Sequence, residues 1–113
     1  MHEMAIAQSI LDIVLQTAAD HGATRVSTIK LLIGEMTQIV PQSLEFGFST
    51  LAAGTIAQHA SLQIKILPAQ GKCTQCGCQF YIQCFKFRCP ECHSNSIGVL
   101  SGRELLVDAL EVE

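Results

Sequence analysis

Tryptophan is absent, tyrosine occurs once and aromatic residues make up only 5% of the 113 positions, although 49% are hydrophobic. The core must therefore be aliphatic, drawn from Leu, Ile, Val and Ala. No apolar run approaches the roughly 20 residues of a membrane span. A basic leader is missing as well: His2 and Glu3 stand where it would begin, and Asp12 interrupts the apolar stretch that follows. This argues against a secretory signal and for a reducing cytosol. With 7 basic against 10 acidic residues the net charge is −3, which disfavours non-specific binding to nucleic acid, since that depends on neutralising phosphates. There is no Gly-rich phosphate loop, no Ser/His/Asp order and no His-Glu-x-x-His helix, so no enzymatic activity is supported. Finally, no cysteine occurs outside residues 73–92.

Inside that window there are six. Cys73/Cys76 and Cys89/Cys92 form two Cys-x-x-Cys pairs separated by twelve residues. Such a knuckle turns tightly enough to aim two sulfurs at one point, and two knuckles supply the four soft donors of a tetrahedral zinc centre. Clustered cysteines in a reducing compartment are thiols or metal ligands, not disulfides. A closed set of four protein thiolates leaves no open coordination position, so the expected zinc is structural. It would also fold the module, because a ribbon of this size has no core and zinc contributes roughly 10–16 kcal/mol in small zinc peptides. The thioredoxin-like reading needs one pair at a helix N-terminus, which two pairs flanked by glycine and proline do not fit. Cys78 and Cys84 are surplus, expected as packed small hydrophobes, with alternative ligands or oxidation-prone thiols as the sharper reading. His93 is expected to be a solvated neighbour of Cys92, close enough to stand in for a thiolate.

The chain is long enough for one ordinary core and a small satellite. Met4, Ala7, Leu11, Val14 and Ala18, widened by Ile10 and Leu15, predict an amphipathic helix over 3–21 that Gly22 ends. His21 falls at its C-terminus, where the dipole favours a charged imidazole. Alternation of Ile29, Leu31 and Ile33 predicts a strand over 24–33. Pro41 opens a second helix over 41–53, with Leu44, Phe48 and Leu51 on one face. Leu62, Ile64 and Ile66 predict a second strand that Pro68 stops. Within the cysteine module, 79–85 and 87–88 read as short ribbon strands. After the turn signal Ser101-Gly102, residues 103–112 read as a last strand. If that strand rejoins the first two, the fold is α+β: two helices packed on a three-stranded mixed sheet, with an inserted zinc-ribbon module. The expected domains are 1–70 plus 99–113, and 71–98 for zinc.

A different chemistry opens the chain. His2 disfavours removal of the initiator Met, so the amine is expected to be that of Met1. The α-amine, the His2 amide nitrogen and the His2 imidazole can then form fused chelate rings, and nitrogen donors in a tetragonal plane suit Ni(II) or Cu(II). Glu3 is either a further donor or a first-turn carboxylate favouring the helix dipole.

Met1-His2-Glu3-Met4 with Gln8-Ser9-Ile10, then Gly34-Glu35, Pro41-Gln42-Ser43-Leu44-Glu45-Phe46-Gly47-Phe48, Gly54-Thr55, Ala60-x-Leu62-x-Ile64, the two cysteine pairs and a closing strand after Gly102 occur in order. Over essentially its full length the chain thereby resembles the HypA/HybF family of nickel-insertion factors for [NiFe]-hydrogenase maturation. The resemblance implies a metallochaperone that holds Ni(II) weakly. His2 would be its best-established ligand, with Met1 and Glu3 beside it, and structural zinc would lie on Cys73, Cys76, Cys89 and Cys92. It also implies transfer toward the hydrogenase large subunit together with the GTPase HypB, in the cytoplasm, as a monomer or a dimer. Cys78 and Cys84 depart from the family pattern. The competing reading is a zinc-ribbon module that binds a protein or nucleic acid through a small basic face of Lys72, Lys86, Arg88 and Arg103, with no nickel role.

Overall fold

The computed structural model describes residues 3–113 and divides into two compact units. The first comprises residues up to Leu32, Ile39–Lys65 and Leu106–Glu113; the second comprises Ile33–Gln38 and Ile66–Leu105.

Helix α1 (Glu3–Asp20) buries Ile6, Ala7, Ile10, Leu11, Val14 and Ala18. The apolar stripe thus runs back to Ile6, one turn before Ile10, and Met4 is 47% exposed instead of belonging to it. On the solvent face Gln8 donates to Asp12 at 2.8 Å and Gln16 to Asp20 at 2.9 Å, the i,i+4 geometry of helix neighbours. The helix closes as a Schellman motif: Gly22 takes φ +64°, its N–H bonds the Ala19 carbonyl at 3.1 Å and the Ala23 N–H bonds Ala18 at 2.9 Å. That left-handed C′ position is where glycine carries no Cβ penalty. His21 sits at this end, as expected, with Nδ1 2.9 Å from the Thr17 carbonyl.

Strand β1 (Val26–Gly34) follows, then a short 3-10 turn over Glu35–Thr37 and helix α2 (Pro41–Ala52). Pro41 occupies its first turn and Leu44, Gly47, Phe48 and Ala52 are buried; a proline there loses no helical hydrogen bond. Helices α1 and α2 pack on each other, and Val26, Ile29 and Leu31 of β1 are buried. Strand β2 is Ser61–Leu67. The last strand, here β6 (Leu105–Val112), completes a three-stranded sheet in the order β2-β1-β6. Arg25 and Glu113 exchange backbone hydrogen bonds of 3.2 and 2.8 Å, while the Gly34 N–H bonds Glu104 at 2.8 Å. The start of β1 therefore meets the end of β6, so the two are antiparallel, and the crossover through α2 makes the sheet mixed.

Between β2 and β6 the chain forms a second sheet, of strands β3 (Gln70–Cys73), β4 (Gln79–Tyr81) and β5 (Ile97–Ser101), in the order β4-β3-β5. Both pairs are antiparallel, Gly71 facing Phe80 on one side and Val99 on the other. This ribbon differs from the expected one. The strand expected over 79–85 ends at Tyr81, because Cys84 and Phe85 turn at φ +51° and +57° and the Lys86 N–H closes back on Gln83 at 3.0 Å. No strand forms at 87–88. Strands β3 and β5 take that place. Their sequences, Gln-Gly-Lys-Cys and Ile-Gly-Val-Leu-Ser, carry no clear alternation to announce them.

Candidate metal centre

Strand β3 delivers Cys73 at its end, and Thr74 fixes the turn that follows: its N–H and its Oγ1 both bond the Ser96 carbonyl, at 2.9 and 3.0 Å. From there the two knuckles fold as copies of one design. The Cys73 N–H donates to the Cys78 carbonyl at 2.9 Å, and the Cys89 N–H to the Ser94 carbonyl at 2.9 Å. The Gly77 N–H returns to Cys73 at 2.9 Å, and the His93 N–H to Cys89 at 3.0 Å. To make that return, the residue after the second cysteine must take positive φ, +78° at Gly77 and +64° at His93. His93 therefore fills a backbone slot suited to glycine.

These turns bring the Sγ atoms of Cys73, Cys76, Cys89 and Cys92 within 4.8 Å of one another. Cys73 lies 3.5 Å from Cys92, and Cys76 3.5 Å from Cys89. A tetrahedron of sulfurs about 2.3 Å from one zinc ion has edges of about 3.8 Å. The spacing fits, and the donor set is that of a metal-binding cluster. Among the described residues no other group of three or more His, Cys, Asp or Glu side chains converges in this way.

The four sulfurs are not equivalent. Cys73 and Cys89 are buried, whereas Cys76 and Cys92 are exposed. The Gln75 N–H points at the Cys73 sulfur, and the Glu91 and Cys92 N–H groups at the Cys89 sulfur, each at 3.4 Å. Backbone donors stabilise the thiolate. The Cys76 amide, with that of Gln75, holds the Cys73 thiol below its ordinary range against the effect of desolvation. The Cys92 and Glu91 amides bring Cys89 down to about 6. The Cys78 amide draws Cys76 downward, but the Cys89 sulfur, desolvation and the remaining thiols outweigh it and push Cys76 up to about 12. Cys92 is likewise raised: the Ser94 amide lowers it, and the Cys73 sulfur and desolvation prevail. Each knuckle thus pairs one buried thiol whose pKa is lowered with one exposed thiol whose pKa is raised. The paired spacing announces the quartet, but the amides of Gln75 and Glu91 carry no signal in their side chains.

Cys78 and Cys84 stay outside the quartet. Cys78 is half-buried, donates to the Gln79 carbonyl at 3.7 Å and is raised by desolvation and by the neighbouring Cys89 and Cys76. Cys84 is exposed in its positive-φ turn, so it is not the packed small hydrophobe expected, because the turn carries its side chain outward. His93 is not among the converging ligands. Met1 and His2 lie outside the described residues. Glu3 is half-buried in the first turn of α1 and, with Met4, Gln42, Ser43 and Phe46, lines a cleft of about 500 Å³.

Residues 1–112 match the family described as "Hydrogenase/urease nickel incorporation, metallochaperone, hypA". The hydrogenase maturation factor HypA of Chlorobium luteolum is 42% identical over 113 residues, covering 100% of this chain and 97% of that protein. That of Geobacter metallireducens is 39% identical, with 100% of both chains covered. The solution structure of the Ni metallochaperone HypA from Helicobacter pylori superposes with a TM-score of 0.72 at 22% identity, over 99% of this chain and 97% of that one; it shows the same fold. Family match and full-length identity together place this chain in the HypA family of nickel-incorporation metallochaperones.

Proposed function

We propose that this protein binds Ni(II) reversibly at its first residues and delivers it to the large subunit of [NiFe]-hydrogenase, in the cytoplasm and together with the GTPase HypB. Full-length membership of the HypA family carries this reading. In it the His2 imidazole is the principal nickel ligand, with the Met1 amine, the His2 amide nitrogen and the Glu3 carboxylate beside it. A site made of one imidazole and backbone nitrogens at a chain end is open to a competing ligand, which suits an ion that must be handed on. The quartet Cys73, Cys76, Cys89 and Cys92 would hold zinc, whose four thiolates leave no open position; this makes it a folding clamp. The domains proposed are 1–70 plus 99–113 for nickel and 71–98 for zinc.

Nickel titration with metal analysis of three proteins tests the assignment: one beginning at Met1, its His2→Ala variant, and one carrying extra residues before Met1. One bound zinc is expected in all three and nickel binding only in the first. Retention of stoichiometric nickel by the other two would overturn the nickel site. In the first protein nickel affinity should also fall on acidification through the imidazole and amine pKa values of about 6.5 and 8, as protons compete for the donors.

A further inference from the structure

The first knuckle carries a third cysteine. It runs Cys73-Thr74-Gln75-Cys76-Gly77-Cys78 where the second runs Cys89-Pro90-Glu91-Cys92-His93-Ser94. The matching bonds from the Cys73 and Cys89 N–H groups, both 2.9 Å, put Cys78 and Ser94 in the same backbone slot. Ser94 uses its side chain to brace the turn, Oγ accepting the Ser96 N–H at 3.1 Å. Cys78 does not: its Sγ meets the backbone only at the carbonyl of the adjacent Gln79, at 3.7 Å. The turn therefore has no structural need of a thiol there.

Strand pairing sets where that thiol points. Lys72 faces Gln79 across β3 and β4; one step on, Cys73 faces Cys78, joined by the 2.9 Å bond from the Cys73 N–H to the Cys78 carbonyl. Residues opposed in an antiparallel pair project to one face, with Cβ atoms about 4.5–5.5 Å apart. Cys73 projects into the quartet, so the Cys78 side chain stands on that side. There its half-buried thiol is a hydrogen-bonding neighbour of the Cys89 sulfur and adjoins Cys76. Cys76 lies 3.5 Å from the same Cys89 sulfur. Two thiols of one knuckle thus border one sulfur, with only Gly77 between them. A Cβ at Gly77 would meet nothing within 4 Å, so the turn has room to move.

We propose that Cys78 is a reserve ligand of the metal centre, taking the coordination vertex of Cys76 when that sulfur leaves. This rests on the zinc reading of the quartet. Cys78 gives up its proton as its sulfur binds, and Cys76 takes one up as it leaves, so the charge and the count of four sulfurs are both unchanged. Cys76 is the exposed sulfur of its knuckle and Cys78 is half-buried, so the exchange carries the ion to the more sheltered donor. Loss of one ligand then leaves the ion, and the ribbon folded around it, in place. The second knuckle, with Ser94 in the equivalent slot, has no such reserve.

Co(II) in place of zinc is the probe, because its visible absorption reports tetrahedral sulfur ligation. Four full-length chains are loaded and compared: wild type, Cys78→Ser, Cys76→Ser and the double variant Cys76→Ser/Cys78→Ser. The four-sulfur spectrum is expected in the first three and its loss in the fourth. Zinc affinity of the double variant, by chelator competition, should fall at least about tenfold below that of Cys76→Ser, or about 1.4 kcal/mol. Loss of the spectrum in Cys76→Ser would overturn the proposal, as would its persistence in the double variant through Cys84. Loss in Cys78→Ser would do the same, by making Cys78 a standing ligand. A four-sulfur spectrum in Cys76→Ser that grows with protein concentration would also overturn it, since the fourth sulfur would come from a second chain. If the wild type itself lacks the spectrum, the zinc reading fails and this proposal with it.

Discussion

At the scale of single residues, the metal centre is shaped by amide hydrogens as much as by sulfur. Cys89, held down to about 6 by the Cys92 and Glu91 amides, is an acid whose folded pKa is depressed. Its thiolate, and the stability it contributes, are fully present above the ordinary thiol range and are lost as pH falls through about 6. Cys76, pushed up to about 12 by its sulfur neighbours and desolvation against the pull of the Cys78 amide, would surrender a proton to the proposed zinc throughout this range. Zinc affinity, measured by chelator competition with the chelator's own protonation accounted for, is therefore expected to fall on acidification and to steepen by about one proton near pH 6. A slope unchanged across that pH would contradict the ionised Cys89. His93 yields a second expectation. It stands at φ +64° where the other knuckle uses Gly77 at φ +78°, and a side chain in that region costs about 1 kcal/mol. His93→Gly should stabilise the zinc-loaded chain by up to about that amount, read as a raised denaturant midpoint. The quartet was legible from spacing alone. The burial of one sulfur per knuckle was not, because it depends on which peptide planes the turn aims at each Sγ.

At the scale of elements, long periodic segments were legible and short ones were not. Helices α1 and α2 and strands β1, β2 and β6 formed within about two residues of their expected bounds, since each has an apolar face that only one periodicity buries. Strands β3 and β5 have no such face; they exist because the first knuckle and the Thr74–Ser96 bonds bring them together. Met4 was misplaced in the buried stripe because it lies at one margin of the face and Ile6 at the other, and periodicity alone does not say which margin is covered. The sharpest constraint on any element lies where the end of β1 crosses the turn before β6. A Cβ added at Gly34 would stand 2.1 Å from the carbonyl carbon and oxygen of Gly102 and 2.5 Å from the Arg103 nitrogen. Those are backbone atoms with no rotamer to yield. The Met36 N–H holds the same crossing to the Gly102 carbonyl at 2.8 Å, and Glu35 Oε1 accepts the Ala69 N–H at 2.8 Å. Gly34→Ala is expected to lower stability by roughly 3–5 kcal/mol, since the backbone itself must shift. A melting temperature within a few degrees of the parent would refute that crossing.

For the whole molecule, the division into two units follows from what each has for a core. The first buries a mostly aliphatic set, including Ala7, Val14, Ile29, Leu31 and Leu44, together with Phe48. The second buries Ile33, Ala69 and Ile82 with Cys73 and Cys89, so its interior is largely the metal centre. If the quartet holds the proposed zinc, its removal by a strong chelator should collapse the amide dispersion of residues 66–105 while the helical circular dichroism of α1 and α2 persists. Loss of both signals together would show that the first unit does not stand without the metal. The sequence by itself determined the class of the fold, the family and the identity of the four converging thiols, because periodicity, order and ligand spacing are local or one-dimensional properties. Tertiary structure alone decided the ribbon's strand pairing, the unequal thiols of each knuckle and the Gly34–Gly102 crossing. Each of these depends on atoms distant along the chain meeting at a few ångströms, and no local pattern encodes such a distance.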